Sequence, residues 1–172
     1  KIIIQNTLFK TFDGQQQILL TAVVNGLILL PFIMLFTPAG FISDKYPKHR
    51  VMRFSAWAGV LVTLLITLCY YQGWFVAAFG LTFVLALQSA FYSPSKYGYI
   101  RELVGTSRLS EGNGWIQAAT MVAILSGIMV FSLLFEMRLA DLLVVPQDPA
   151  LVVQQIAPLG WFLVAGAAVE AV

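Results

Sequence analysis

The densest cluster of charge in this 172-residue chain is residues 40–50, which read Gly-Phe-Ile-Ser-Asp-Lys-Tyr-Pro-Lys-His-Arg. A second polar segment, residues 93–102, reads Ser-Pro-Ser-Lys-Tyr-Gly-Tyr-Ile-Arg-Glu. Side chains of these types can form ion pairs within the protein, and lysines and arginines at a membrane surface can also bind lipid phosphates. The chemistry that both segments favour is therefore reversible binding.

Residue patterns typical of enzymes are missing from the sequence. It contains no glycine-rich phosphate loop, no serine or cysteine nucleophile with a histidine partner, and no His/Asp acyltransferase signature. The single histidine, His49, lies in the basic segment without a second metal ligand nearby, and the single cysteine, Cys69, lies in an apolar run. We expect no catalytic residue, metal site or cofactor in this chain, although catalytic domains elsewhere in a longer parent protein are compatible with it.

The composition predicts a membrane protein. Hydrophobic residues make up 59% of the chain and charged residues 10%, whereas soluble domains carry about 25% charged residues. Residues 14–43 and 54–95 contain no charge, and about 20 apolar residues suffice to cross a bilayer as a helix. The second stretch would be about 63 Å long as one helix, so it must fold back, and Tyr70–Trp74 is the expected turn.

The predicted fold is all-α, with polar loops at residues 44–50 and 94–110. The predicted helices cover residues 1–12 in part, 16–43, 51–70, 74–93, 111–135 and 156–172, the last nearly complete or cut short. Because the chain opens without a methionine, we expect it to be a piece of a longer protein.

Loop charges predict the orientation of the bundle. Seven basic residues share one side of the predicted topology, against Lys10 and Arg138 on the other. These seven are Lys45, Lys48, Arg50, Arg53, Lys96, Arg101 and Arg108. Since cytoplasmic loops carry the excess of lysine and arginine, this side is expected in the cytoplasm, with Asp13 and residues 136–149 facing outward.

The first polar segment resembles the signature between the second and third helices of major facilitator superfamily transporters. The matching residues are Gly40, Asp44, Lys45, Lys48 and Arg50, whereas Pro47 replaces the usual glycine and His49 replaces a common basic residue. The resemblance implies the N-terminal six-helix half of that fold. It also implies a conformational latch, in which Asp44 pairs with the other half of the transporter.

The second polar segment is similar to the Ser-Pro-Ala-Lys-Tyr-Gly stretch of the bacterial lysophospholipid transporter family. The matching residues are Ser93, Pro94, Lys96, Tyr97 and Gly98. The resemblance extends into the next helix through Leu109, Asn113, Gly114, Ala118, Thr120, Ala123, Ile124, Leu125 and Gly127. Gln117 stands where that family commonly has a glutamate, so this position cannot titrate.

Polar residues inside apolar helices are the candidates for a substrate cavity, because burying them in a membrane is costly. They are Gln5, Asn6, Asn25, Gln88, Asn113 and Gln117. Hydrogen bonds between helices are an equally good explanation for each of them. Lys96 and Arg101 fit either a lipid phosphate or the role of topology-setting charges.

Small residues at four-residue spacing are expected to let helices pack closely. The pairs are Ala22 and Gly26, Ser55 and Gly59, and Ala86 and Ala90, followed by the series Ala119, Ala123 and Gly127.

The resemblance implies a transporter that moves lysophospholipid, specifically lysophosphatidylethanolamine, across the bacterial inner membrane by alternating access for reacylation. Its implied partners are the phospholipid membrane, a C-terminal transporter half and a fused or separate acyltransferase, with no role for nucleic acid. Three alternatives remain open at this point: a facilitator for a soluble solute, a membrane module that delivers substrate to a fused acyltransferase, and a membrane scaffold that does not transport.

Overall fold

A computed structural model describes residues 2–12, 14–140 and 148–171 of the chain, and these residues form helices without any strand. The helices are α1 (Ile2–Thr11), α2 (Gly14–Met34), α3 (Phe36–Lys45), α4 (Lys48–Tyr71), α5 (Phe75–Val104), α6 (Leu109–Ala140), α7 (Pro149–Gln155) and α8 (Gly160–Ala171). A short 3-10 turn, Ala157–Leu159, joins α7 to α8. Asp13 and residues 141–147 of the expected outward loop lie outside the described residues.

Four helices are long and apolar enough to cross a membrane: α2, α4, α5 and α6. The segment made of α7 and residues 157–171 passes the same test as a bent pair, with an angle of 55° at the break. The prediction of an all-α, multi-pass membrane protein is therefore confirmed.

The predicted helix over residues 16–43 consists of two helices that meet at Leu35. The Leu35 N–H still donates to the Pro31 carbonyl at 2.9 Å, and the Ala39 N–H donates to the Leu35 carbonyl at 2.8 Å. Pro38 has no N–H for the carbonyl of Met34, and its ring crowds that carbonyl. The interruption falls directly after Met34, and α3 then continues to Lys45.

Helix α5 differs from the prediction at its C-terminal end. It was expected to end at residue 93, before Pro94, but it continues through Pro94 to Val104. Much of the expected loop over residues 94–110 is therefore helical. A proline inside a membrane helix is tolerated where neighbouring groups bond the freed backbone, and α5 ends instead at Gly105, whose φ of +72° suits glycine.

Helix α4 forms the centre of the described bundle, because it packs against both α5 and α8. Its buried side includes Ser55, Gly59 and Ile66, and the Gln88 side chain of α5 donates from Nε2 to the Ser55 carbonyl at 2.7 Å. Ala86 and Ala90 of α5 are also buried. Of the predicted small-residue pairs, Ser55 and Gly59 thus lie at the α4–α5 contact.

Helices α2 and α6 expose most of their apolar surface. Only 11% of the most apolar window of α2 is buried, and only 6% of that of α6. Ala22, Gly26, Ala119 and Ala123 are exposed, so within the described part of the chain these small residues make no close helix contact. In a transporter, these faces would meet lipid or another part of the protein.

Contacts between distant residues define the two ends of the bundle. At one end, the Lys10 ammonium lies 3.1 Å from a Glu136 carboxylate oxygen. At the opposite end, Lys48 Nζ lies 2.6 Å from Glu102 Oε1, so the two polar segments meet there. This is the end that the loop charges predict to be cytoplasmic.

Candidate functional site at the basic end of the bundle

A cleft between α3 and α5 brings the two polar segments together. Its volume is about 650 Å³. The first segment contributes Gly40 and Asp44 to its lining, and the second contributes Ser93, Pro94 and Tyr97. The rest of the lining is Phe32, Phe36, Thr37, Ala39, Phe41 and Ala90. The cleft therefore combines mainly apolar walls with one carboxylate.

A buried hydrogen bond attaches α3 to α5 beside this cleft. The Ser95 hydroxyl donates to the Ser43 hydroxyl oxygen at 3.1 Å, and both residues are almost fully buried. Neither serine was a predicted site residue. Their positions in the sequence could have indicated them, because Ser43 directly precedes Asp44 and Ser95 lies between Pro94 and Lys96.

Asp44 is exposed at the end of α3 and forms no salt bridge within the described residues. Gly40, one helical turn earlier, faces open space, since a Cβ built there would meet nothing within 4 Å. The described part of this chain therefore makes no close helix contact at Gly40, and both residues are accessible to another part of the protein.

The cations of the first segment occupy different environments. Lys45 Nζ lies 5.6 Å from the ring centre of Phe41 and 5.8 Å from that of Tyr46, which are cation–π distances. Lys48 is paired with Glu102 on α5. Arg50 is exposed in the first turn of α4. Only some of the predicted latch cations thus face solvent.

Tyr97 connects the cleft to α6. Its ring lines the cleft, and its hydroxyl donates to Gln117 Oε1 at 3.2 Å. A glutamine at position 117 accepts this bond without a charge, so the contact is independent of pH at that residue. Lys96, beside Tyr97 in the chain, is partly exposed.

The six polar candidates for a substrate cavity do not converge. Gln88 bonds to the backbone of α4 and Gln117 bonds to Tyr97. Asn25 lines a separate cleft of about 360 Å³ between α1 and α2. Asn113 has a buried Oδ1 without a hydrogen-bond partner among the described residues.

The remaining two candidates, Gln5 and Asn6, are partly buried on α1. A half-open cavity of about 290 Å³ lies among α1, α4, α5, α6 and α8, and none of the six candidates lines it. Its walls are almost entirely apolar, for example at Ile66, Leu85 and Phe131.

Comparison with curated proteins finds relatives that are named lysophospholipid transporters. It is 37% identical over 136 residues to a lysophospholipid transporter of Photorhabdus laumondii, a match that covers 77% of this chain. The chain is a homologue of the lysophospholipid transporters. A lysophospholipid transporter of Enterobacter sp. is 34% identical over 116 residues, or 67% of this chain, and one of Escherichia coli O1:K1 / APEC is 37% identical over 95 residues, or 55%.

The chain spans less than a third of these lysophospholipid transporters. The matches cover 31% of the Photorhabdus protein, 26% of the Enterobacter protein and 22% of the Escherichia protein. No family model matches the chain, and no solved structure matches it.

Proposed function

We propose that the protein containing this chain moves lysophospholipid, specifically lysophosphatidylethanolamine, across the bacterial inner membrane, so that the lipid can be reacylated in the inner leaflet. The observation that carries this proposal is the 37% identity over 136 residues to a protein named as a lysophospholipid transporter. The several apolar helices are consistent with a multi-pass protein of that kind.

In this proposal, the chain supplies the N-terminal six-helix half of a major facilitator fold. The six crossings would be α1, α2 with α3, α4, α5, α6, and α7 with α8. Transport in such a fold proceeds by movement of one half against the other around a shared substrate site. The exposed faces of α2 and α6 are available for the second half or for lipid, and the apolar cavity beside α6 is chemically suited to an acyl chain.

The basic end of the bundle would control this movement. Asp44 would pair with a group of the second half when the cavity opens outward, and Gly40 would allow that half to approach closely. Exposure of Asp44 and open space at Gly40 support this role. Pro47, which is the N-cap of α4, would stiffen the loop. Lys96 and Arg101 would lie near lipid phosphates.

Reacylation itself would take place on another protein or domain. The curated relatives are named as transporters, and we propose that an acyltransferase, either fused to this protein or separate from it, consumes the delivered lysophospholipid. The substrate would reach that enzyme from the inner leaflet.

Substrate comparison with the full-length protein tests the proposed function. Proteoliposomes are loaded with labelled lysophosphatidylethanolamine, labelled diacyl phosphatidylethanolamine or a soluble sugar, and the rate of movement of each is measured against protein-free liposomes. We expect acceleration of the lysolipid alone. Movement of the sugar without the lysolipid would instead support a facilitator for soluble solutes, and movement of none would support a scaffold.

A further inference from the structure

We propose that the cleft between α1 and α2 binds the free glycerol hydroxyl of a lysophospholipid through Thr21 and Asn25, and so distinguishes a lysophospholipid from a diacyl phospholipid. The inference rests on the proposed function for the class of substrate. It adds the residues that would recognise the lipid, at a place remote from the basic end that carries Asp44.

The polar side chains of α2 gather in this cleft, which has a volume of about 360 Å³. Its lining consists of three polar residues one helical turn apart, Gln17, Thr21 and Asn25, and three apolar residues, Phe9, Ile18 and Ala22. From Ile18 to Met34, Thr21 and Asn25 are the only polar side chains in the sequence of α2. Polar groups inside a membrane are costly, so their shared position indicates a polar partner rather than lipid tails.

The Thr21 hydroxyl is buried at this cleft without a partner. Its Oγ1 forms no hydrogen bond with the described residues. Six other helix threonines instead donate to the carbonyl four residues earlier, namely Thr7, Thr11, Thr63, Thr67, Thr82 and Thr120. Leaving a buried hydroxyl unbonded costs free energy. Because Thr21 lines the cleft and a helix threonine can adopt either of two rotamers, its hydroxyl can turn to a ligand there.

The chemistry of the lining fits a neutral hydroxyl. The threonine hydroxyl and the asparagine amide each supply both a donor and an acceptor, as a glycerol hydroxyl does. No charged residue is among the described residues that line the cleft, so a lipid phosphate or amine would be held elsewhere. A lysophospholipid has a free hydroxyl where a diacyl phospholipid has an ester, which accepts hydrogen bonds but cannot donate one. The cleft therefore suits the group that distinguishes the two lipids.

The position of Thr21 along α2 suits the glycerol level of a membrane. Thr21 lies about 10 Å along the helix from its start at Gly14. This start follows α1 at the end of the bundle that carries the Lys10–Glu136 pair, opposite the end predicted to be cytoplasmic. A lysophospholipid of the outer leaflet can therefore place its glycerol in the cleft while its acyl chain lies along the exposed apolar face of α2.

Equilibrium binding to the purified full-length protein in detergent tests the site. The probes are acyl-labelled lysophosphatidylethanolamine and its deoxy analogue, in which hydrogen replaces the glycerol hydroxyl. In Thr21→Val, we expect binding of the lysolipid to weaken about twofold to tenfold, and binding of the deoxy analogue to stay unchanged. Thr21→Ser should restore binding of the lysolipid. Thr11→Val is the matched control, because the Thr11 hydroxyl already donates to the Thr7 carbonyl at 2.8 Å.

The deoxy analogue separates a lost hydrogen bond from a change in packing. Equal losses for the lysolipid and its deoxy analogue in Thr21→Val would overturn the site, because they would show a packing effect. Unchanged affinity for the lysolipid in Thr21→Val would also overturn it, and would leave water as the partner of that hydroxyl. Asn25→Leu should cause the same selective loss, and no loss in this variant would remove Asn25 from the site.

Transport kinetics separate this inference from the proposed function. In proteoliposomes, Thr21→Val should raise the KM for lysophosphatidylethanolamine at an unchanged maximal rate, since a binding contact is lost. Equal KM values for the unmodified protein and Thr21→Val would overturn the site and leave the proposed function intact. Absence of transport by the unmodified protein would defeat the proposed function, while binding of the lysolipid and its deoxy analogue would still decide the site.

Discussion

At the scale of single residues, Gly160 marks a position where two helices are in close contact. Gly160, at the start of α8, faces Thr67 of α4 so closely that a Cβ there would lie 2.6 Å from Thr67 Oγ1 and 2.7 Å from Thr67 Cγ2. Thr67 cannot turn away at low cost, because its side chain is β-branched and its hydroxyl donates to the Thr63 carbonyl at 2.8 Å. The contact therefore depends on the absence of a side chain at position 160.

Gly160→Ala is expected to destabilise the protein by about 1–3 kcal/mol, because it overpacks the α4–α8 contact. The measurement is the thermal unfolding of the full-length protein in detergent. Gly166→Ala is the matched control on the same helix, since a Cβ at position 166 meets nothing within 4 Å. It should be neutral or stabilising by up to about 1 kcal/mol. An equal effect of the two substitutions would show that α8 does not pack on α4 in this way.

At the scale of elements, the two uncharged stretches predicted the candidate membrane-spanning helices α2, α4 and α5. The effect of proline on helix continuity near the ends of these stretches differs between Pro38 and Pro94. Pro38 coincides with the interruption between α2 and α3, whereas α5 continues through Pro94. The local effect of proline is the same in both cases, so the outcome depends on neighbouring helices. Sequence alone does not reveal those neighbours.

The candidate site was predictable only in part. The two polar segments were visible as charge and as family resemblance, and the structure places Asp44 and Tyr97 in one cleft. The Lys48–Glu102 pair was not predictable, because the two residues are 54 positions apart in the chain. The sequence offers several opposite charges for each residue, and residue type alone does not show which of them forms the ion pair. The six polar candidates were chosen by type, which does not distinguish a cavity from a helix contact.

Helix α6 provides the prediction at this scale. Leu125 is 66% exposed on a helix whose apolar window is almost entirely unburied, so in a membrane its side chain would face lipid or another helix. Leu125→Arg should therefore lower membrane insertion of α6, at a cost of about 2.5–3.5 kcal/mol. Glycosylation mapping of the inserted fraction measures this.

The matched control for this substitution is Leu103→Arg. Leu103 is also 66% exposed but lies in the last turn of α5, at the end predicted to be cytoplasmic. An arginine there can reach the interface, so insertion should be nearly unchanged. Equal losses for the two arginine variants would place Leu103 and Leu125 at the same depth and contradict the assignment of α6 as a span.

At the scale of the whole molecule, the described helices form a bundle with two chemically different ends. One end carries the Lys10–Glu136 pair, and the other carries both polar segments and the cleft with Asp44. The exposed apolar faces of α2 and α6 leave room for lipid or for further protein. In the proposed function, this arrangement would form one half of a transporter whose basic end engages a second half.

The most direct test of the central claim is the rate at which the full-length protein moves labelled lysophosphatidylethanolamine between leaflets of proteoliposomes, compared between the unmodified protein and Asp44→Asn. We expect rapid movement by the unmodified protein and a loss of at least about tenfold in Asp44→Asn, since a latch worth about 1.4 kcal/mol corresponds to that factor. Lysophospholipid movement no faster than in protein-free liposomes would contradict the proposed transport, and an unchanged rate in Asp44→Asn would contradict the latch.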